Sequence, residues 1–488
     1  MKAINWKIIL KSIGLLLSFE TILLMVAMGV SAFYGEDTSP FLWALLLSII
    51  CCMLSFYFGK DAPRALSRRD GFIIVSFTWV IFSIIGMVPY ITSGALPDVS
   101  SAFFETMSGF TTTGASSMPD VDVQPHGIVF WRSLTQLIGG VGIIFFTVAI
   151  LPLMGEGEVK LFAVEATGPV HDKIHPRISV TARWIGIVYL SLTLLCILCI
   201  WLCGTSFFDA VNLAFATTAT GGFSPHSELL HEYYHSPALE YTISFFMFAS
   251  GINFSLLYFV FLKGKFRKMW QNVELRCYVF IVATVVIVTT LVLQMHPRFG
   301  YDMETNFRES LFTIVSMQTT TGFASCDYLQ WPAMLMPFIL VCMLCGACSG
   351  STSGGFKCVR ISMVYKVIKN ELRHILHPHA VLPFKVNGNP VTSSVRQTLF
   401  AFLAIFAICT IAGTLALCLN GLEFDDALSI SLSCVSNVGP AIGHYGPTQC
   451  WDVLSCFDKW VCSFLMLIGR LEIFPVLIIF TKGFWTKN

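Results

Sequence analysis

The sequence predicts an all-α polytopic membrane protein with ten transmembrane spans and four re-entrant pore helices, built as four pseudo-symmetric outer-helix, pore-helix, inner-helix repeats. Three observations carry that prediction. Of 488 residues, 55% are apolar and only 12% charged, against about 25% charged in an ordinary soluble domain. A Thr/Gly turn recurs four times at a constant distance from the start of a short helix. Lysine and arginine are concentrated in alternate segments between the apolar runs. The net charge of +1 offers no basic surface for nucleic acid, and the expected surroundings are membrane lipids.

Residues 7–33 and 40–59 form two N-terminal spans, because about 20 apolar residues cross a bilayer. Lys2, Lys7 and Lys11 accompany the first run, and Val30-Ser31-Ala32 imitates a cleavage site. The run is longer than the roughly 7–15 residues of a signal peptide, so it reads as an uncleaved anchor. The four repeats follow. The first has 71–92, 101–114 and 128–152; the second 178–203, 209–222 and 238–262. The third has 275–295, 309–322 and an interrupted 331–375; the fourth 396–420, 426–439 and 457–481. The units are therefore 1–69, 70–177, 178–273, 274–391 and 392–488.

The repeat is defined by its turns. Thr111-Thr112-Thr113-Gly114 and Thr319-Thr320-Thr321-Gly322 are the same run, and Ala219-Thr220-Gly221-Gly222 and Ser436-Asn437-Val438-Gly439 are degenerate copies. Ser101, Asp209, Glu309 and Asp426 each stand 13 residues before the last glycine, and the copies are spaced by 108, 100 and 117 residues. One offset kept four times is an internal repeat. Each copy reads as an N-capped helix of about 10 residues, too short to span a bilayer, that runs into its turn.

Charge placement orients the units. Basic residues cluster at 60–69, 160–183, 263–276 and 357–396 and at Lys482 and Lys487, whereas none occurs between Gly71 and Phe130 or between Trp184 and Leu262. The outer segments of the last two repeats carry Arg298, Arg308 and Lys459. The positive-inside rule then places both termini in the cytoplasm and opens all four turns outward. Inverted-repeat transporters would alternate in orientation, so four like-oriented units predict a pore around one axis. A cation leaving water needs replacement oxygens, which a ring of backbone carbonyls supplies. Glycine permits the positive φ such a turn needs, threonine adds uncharged hydroxyls, and irregular backbone is tolerable there when it lines a wet cavity. For a single copy an ordinary helix cap would suffice as explanation; four copies in register outweigh it.

Two features lie below the turns. Gly346-Ala347-Cys348-Ser349-Gly350-Ser351-Thr352-Ser353-Gly354-Gly355 breaks the third inner span, since each helical glycine costs about 1 kcal/mol. A mobile gating loop is expected there, with a static kink as the alternative. Arg470 stands eleven residues after Lys459 and twelve before Lys482, about 15–18 Å from either interface at 1.5 Å per residue. It must meet water, carbonyls or a carboxylate, and a pore-facing charge there would act as a barrier to cations.

The run Phe104-Glu105-Thr106-Met107-Ser108-Gly109-Phe110, the four turns and Gly469-Arg470-Leu471-Glu472 together resemble the Trk/Ktr/HKT superfamily. With its two extra N-terminal spans the chain is similar to the membrane subunits of bacterial Trk potassium uptake systems. The resemblance covers essentially the whole chain. It implies potassium bound and transported at the turn residues, with Arg470 and residues Gly346, Ser349, Gly350, Ser351, Thr352, Ser353, Gly354 and Gly355 as the intramembrane gate. It also implies the bacterial inner membrane, a homodimer, and a cytoplasmic TrkA-like regulatory ring. Nucleotide is expected on that partner and no cofactor on this chain. A proton- or sodium-coupled symporter on the same fold is the alternative within transport.

Other motifs are weaker. His231-Glu232-Tyr233-Tyr234-His235 matches a zinc-hydrolase pattern, which needs the histidines on a buried helix with a third ligand. Its place between Pro225 and Pro237 marks a solvated loop, so no enzyme is predicted. Cys342, Cys345 and Cys348 have helical spacing without acidic or histidine partners, and Cys450 and Cys456 could pair.

Overall fold

Helices follow the apolar runs and begin where a side chain can satisfy the first backbone N–H groups. The computed structural model describes residues 4–62, 67–149, 178–261, 263–264, 266–299, 302–379, 384–387, 389–391 and 393–486. The basic stretch 160–177, Arg64, Lys487 and the end of the expected span 128–152 lie outside the described residues. Asn5 caps α1 (Trp6–Phe33) by accepting from Lys7 and Ile8. A proline in its first turn opens α2 (Ser39–Phe58). The Ser67/Asp70 capping box starts α3 (Arg68–Gly86), continued by Val88–Thr92.

In the grouping that the sequence predicts, the first repeat holds α3 with its continuation, α4 (Val99–Phe110) and α5 (His126–Ala149); the second α6 (Ile178–Leu202), α7 (Phe207–Ala219), α8 (Pro237–Ser250) and α9 (Phe254–Phe261). The third holds α10 (Val273–Met295), α11 (Met303–Gln318), α12 (Met336–Cys345) and α13 (Cys358–Leu376). The fourth holds α14 (Ser393–Leu419), α15 (Phe424–Ser436), α16 (Cys456–Arg470) and α17 (Phe474–Leu477). A small antiparallel pair, Lys385–Val386 with Asn389–Pro390, follows α13.

Among the described residues six helices are long and apolar enough to cross a membrane, and eight if each of two bent pairs counts as one span. The sequence predicts ten. The remaining two fall on α5, which ends at the edge of the described residues, and on the broken α12–α13 segment.

Two breaks depart from the continuous spans that the sequence predicts. The span 238–262 bends by 105° between α8 and α9, and 457–481 bends by 114° beyond α16. The second break holds Ile473 at φ +65°, where a β-branched residue is strained. The short helices also start earlier than expected. Ser101, Asp209 and Asp426 are each the third helical residue, behind Asp98, Ser206 and Glu423 at the cap position. Helix α11 gains a further turn, so that Glu309 is already inside it.

Candidate ion site: four turns, a loop and an arginine

Each short helix ends in the same backbone figure. The third turn residue donates its N–H to the carbonyl five residues back: Thr113 to Ser108, Gly221 to Ala216, Thr321 to Ser316 and Val438 to Ser433, at 2.8–3.0 Å. Such a closure requires a left-handed residue just before it. Thr112, Thr220, Thr320 and Asn437 take that role at φ +51°, +53°, +56° and +55°. Glycine usually does so, and a threonine there stores about 1–3 kcal/mol of strain. The fourth residues, Gly114, Gly222, Gly322 and Gly439, sit at φ +82°, +79°, +85° and +102°.

The turns close on one another in cyclic order. A Cβ on Gly114 would strike the carbonyl oxygen of Gly221, one on Gly222 that of Thr321, one on Gly322 that of Val438, and one on Gly439 that of Thr113. Each turn's glycine is therefore backed by the third carbonyl of the next turn, and the fourth glycine by that of the first. Glycine is needed at these positions for φ and for approach together. On one side of the ring lies a cavity of about 170 Å³ lined by all four glycines, Arg132 and His226.

The copies differ in how their side chains are tied. In the first and third, hydroxyls bond across the turn, Thr111 to Thr113 at 2.8 Å and Thr319 to Thr321 at 2.7 Å. In the fourth, Val438 has no hydroxyl, and the buried Ser436 Oγ lacks a partner. Asn437 there donates through Nδ2 to Thr113 Oγ1 at 3.0 Å and to the Met466 carbonyl at 2.9 Å, joining the fourth copy to the first.

The 346–357 segment is hydrogen-bonded to the third and fourth turns and to the end of α7 just before the second. Thr352 Oγ1 donates to the Thr218 carbonyl (3.1 Å), the Gly354 N–H to Thr320 Oγ1 (2.6 Å) and the Gly355 N–H to the Ser436 carbonyl (2.9 Å). The break between α8 and α9 supplies the other side. Gly251 accepts from the Cys348 N–H, Asn253 Nδ2 donates to the Ser349 carbonyl at 2.6 Å, and the Phe254 N–H donates to the Gly350 carbonyl. Glu274 accepts from both the N–H and the hydroxyl of Ser349.

Arg470, 2% exposed, donates to the Thr352 carbonyl at 2.7 Å and the Gly139 carbonyl at 3.0 Å, while its Nε has no partner. It thus bridges the loop to α5. Glu472 faces elsewhere and pairs with Arg360, whose guanidinium also lies 3.8 Å over the Phe402 ring. Lys357 donates to the Ser353 carbonyl. Lys459, expected at an interface, is buried, with its ammonium 2.9 Å from both Ser101 Oγ and the Asp452 carbonyl.

Residues to which the sequence reading gave no role meet at the cavity, Arg132 and His226 among its lining. Glu105 on α4 meets Arg132 Nε at 2.6 Å and accepts from the Ser117 N–H at 2.7 Å; Arg132 lies 3.9 Å over Phe223. Breaking such a buried pair at one end costs about 3–5 kcal/mol. Charged residues inside apolar runs were the available signal. His226 is held between Asp122 (2.6 Å) and Asp209 (3.3 Å) and stacks on Tyr233 at 3.6 Å. Burial alone would lower its pKa, but the two carboxylates outweigh that and raise it above the ordinary histidine value.

The weaker motifs do not converge here. His231 pairs with Glu240 at 2.7 Å, and His235 is a left-handed cap behind a five-residue helix. Helix α12 ends at Cys345, so Cys348 leaves its helical register. Cys450 and Cys456 are both free. Among the described residues, one three-ligand cluster is found, Glu423, Asp426 and His444 at the start of α15.

Residues 41–486 match the family described as TrkH, cation transport protein. The Trk system potassium uptake protein TrkH of Escherichia coli K12 is 32% identical over 99% of this chain and 100% of that protein. Its counterpart in Vibrio parahaemolyticus is 34% identical over 99% of each chain. The crystal structure of the potassium transporter TrkH from Vibrio parahaemolyticus superposes with a TM-score of 0.90, at 32% identity, covering 99% of this chain and 100% of that one. The chain is a membrane protein of the TrkH family of cation transporters.

Proposed function

We propose that this chain takes up potassium, and that its four Thr/Gly turns form the selectivity filter. The observation that carries the reading is the cyclic contact of the turns, each glycine backed by the next turn's carbonyl. Four re-entrant helices deliver the turns from the outer face, within ten spans whose termini are both cytoplasmic. Potassium exchanges its hydration shell for the oxygens of the ring. The 346–355 loop is the gate, and Arg470 holds it closed while opposing cations electrostatically. Hydrogen bonds from the loop to two of the turns and to the end of the helix leading into a third support this placement. The chain works as a homodimer in the bacterial inner membrane under a cytoplasmic TrkA-like, nucleotide-binding ring. The test is growth of a potassium-uptake-deficient bacterial host on limiting potassium. The intact chain is expected to restore growth, and a Gly322→Ser variant of equal abundance to restore it poorly; no rescue by the abundant intact chain overturns the reading.

A further inference from the structure

The second turn has a defect that the others lack. Where the first and third copies place Thr113 and Thr321, it has Gly221, and so no side chain to tie or fill the turn. A Cβ built on Gly221 would fall onto the carboxamide of Gln136, a fully buried residue of α5. That carboxamide donates through Nε2 to the Gly221 carbonyl at 2.7 Å and accepts at Oε1 from the Phe223 N–H at 3.1 Å. Its orientation is fixed by chemistry, because a carbonyl needs a donor and an N–H needs an acceptor. The Gly221 carbonyl is also the one laid against Gly114 of the neighbouring turn.

We propose that Gln136 is a positioning residue of the filter, a side chain supplied by the first repeat's inner helix to complete the degenerate second copy. It fills the volume of the missing threonine, sets the direction of the Gly221 carbonyl and holds the backbone on both sides of Gly222. The inference rests on the reading of the turns as a potassium filter. It differs from that reading in assigning ion discrimination to a residue outside the four turns.

The experiment is potassium against sodium uptake into proteoliposomes, with thermal melting of each variant as the fold control. Gln136→Met keeps the volume and removes both hydrogen bonds, so the potassium-to-sodium ratio is expected to fall by roughly fivefold to tenfold. Gly221→Thr alone collides with the carboxamide and loses uptake. Gln136→Ala with Gly221→Thr recreates the arrangement of the first and third copies, and its ratio is expected within about twofold of the parent. A parental ratio in a folded Gln136→Met protein overturns the proposal, because packing alone would then suffice. Should that variant fail to fold, the paired exchange decides, and a ratio no better than that of Gln136→Ala alone overturns it. Gly322→Ser in the same assay separates the two claims. If it changes the ratio while Gln136→Met does not, the proposal for Gln136 alone is wrong; if neither changes it, the filter reading fails as well.

Discussion

Three threonines in the left-handed region are the most telling residues of the site. Thr112, Thr220 and Thr320 occupy a position where glycine would relax the backbone, and strain of this kind persists only where surrounding contacts over-determine it. Thr112→Gly removes a hydroxyl without a hydrogen-bond partner, so it is expected to raise the melting temperature while lowering potassium-to-sodium discrimination. A drop in both would mean that the threonine side chain, not its backbone strain, matters there. Arg470 carries the second residue-scale prediction. A unit charge at about 4 Å is worth roughly 4 kcal/mol at an effective dielectric of about 20, less where the pore is wet. Arg470→Ala should therefore raise the maximal potassium uptake rate with little change in apparent affinity. Arg470→Lys should stay nearer the parent, keeping the charge but not the fork that spans the Thr352 and Gly139 carbonyls. Slower uptake by an Ala variant of normal stability contradicts the gating role.

At the scale of elements, the loop and the breaks explain one another. The interruption at 251–253 frees backbone groups that a continuous helix would consume, and residues 348–350 of the loop use them. Deleting Gly350 to Ser353 removes the ties to Thr218 and Arg470 together, so basal flux is expected to rise in the absence of any cytoplasmic partner. Unchanged flux in a folded deletion would make the loop a fixed kink. The glycine-rich loop was legible because composition alone breaks a helix. The breaks at 251–253 and 471–473 were not, since single glycines within apolar runs are common and the bonds that stabilise the bends come from residues about 100 positions away. The repeat was legible because a constant 13-residue offset survives degeneracy of the turns. The extra turn of α11 and the role of Gln136 were not, because both depend on what packs alongside in space.

On the scale of the whole molecule, the ring is fourfold in backbone and unequal in side chains. Identical φ signs at all four copies coexist with hydroxyl ties in two copies, a borrowed carboxamide in the second and a cross-copy amide in the fourth. Beside the cavity, His226 joins the loop after the first turn, through Asp122, to the start of the second short helix, through Asp209. Its raised folded pKa means that the clamp contributes stability fully below the unfolded value of about 6.5 and loses it as pH rises through the folded value. The parent's excess melting temperature over His226→Gln should accordingly shrink between acidic and alkaline pH; a constant difference would assign the clamp to stacking on Tyr233 instead.

The central claim is that four separate stretches of chain form one ion-selecting ring. The direct measurement is the potassium-to-sodium flux ratio in proteoliposomes for Gly114→Ala, Gly222→Ala, Gly322→Ala and Gly439→Ala, each compared with the parent. Each added Cβ strikes a carbonyl of the next turn, so all four ratios are predicted to fall, although the four positions are 100 or more residues apart. A folded variant at any one of them with the parental ratio would contradict the ring.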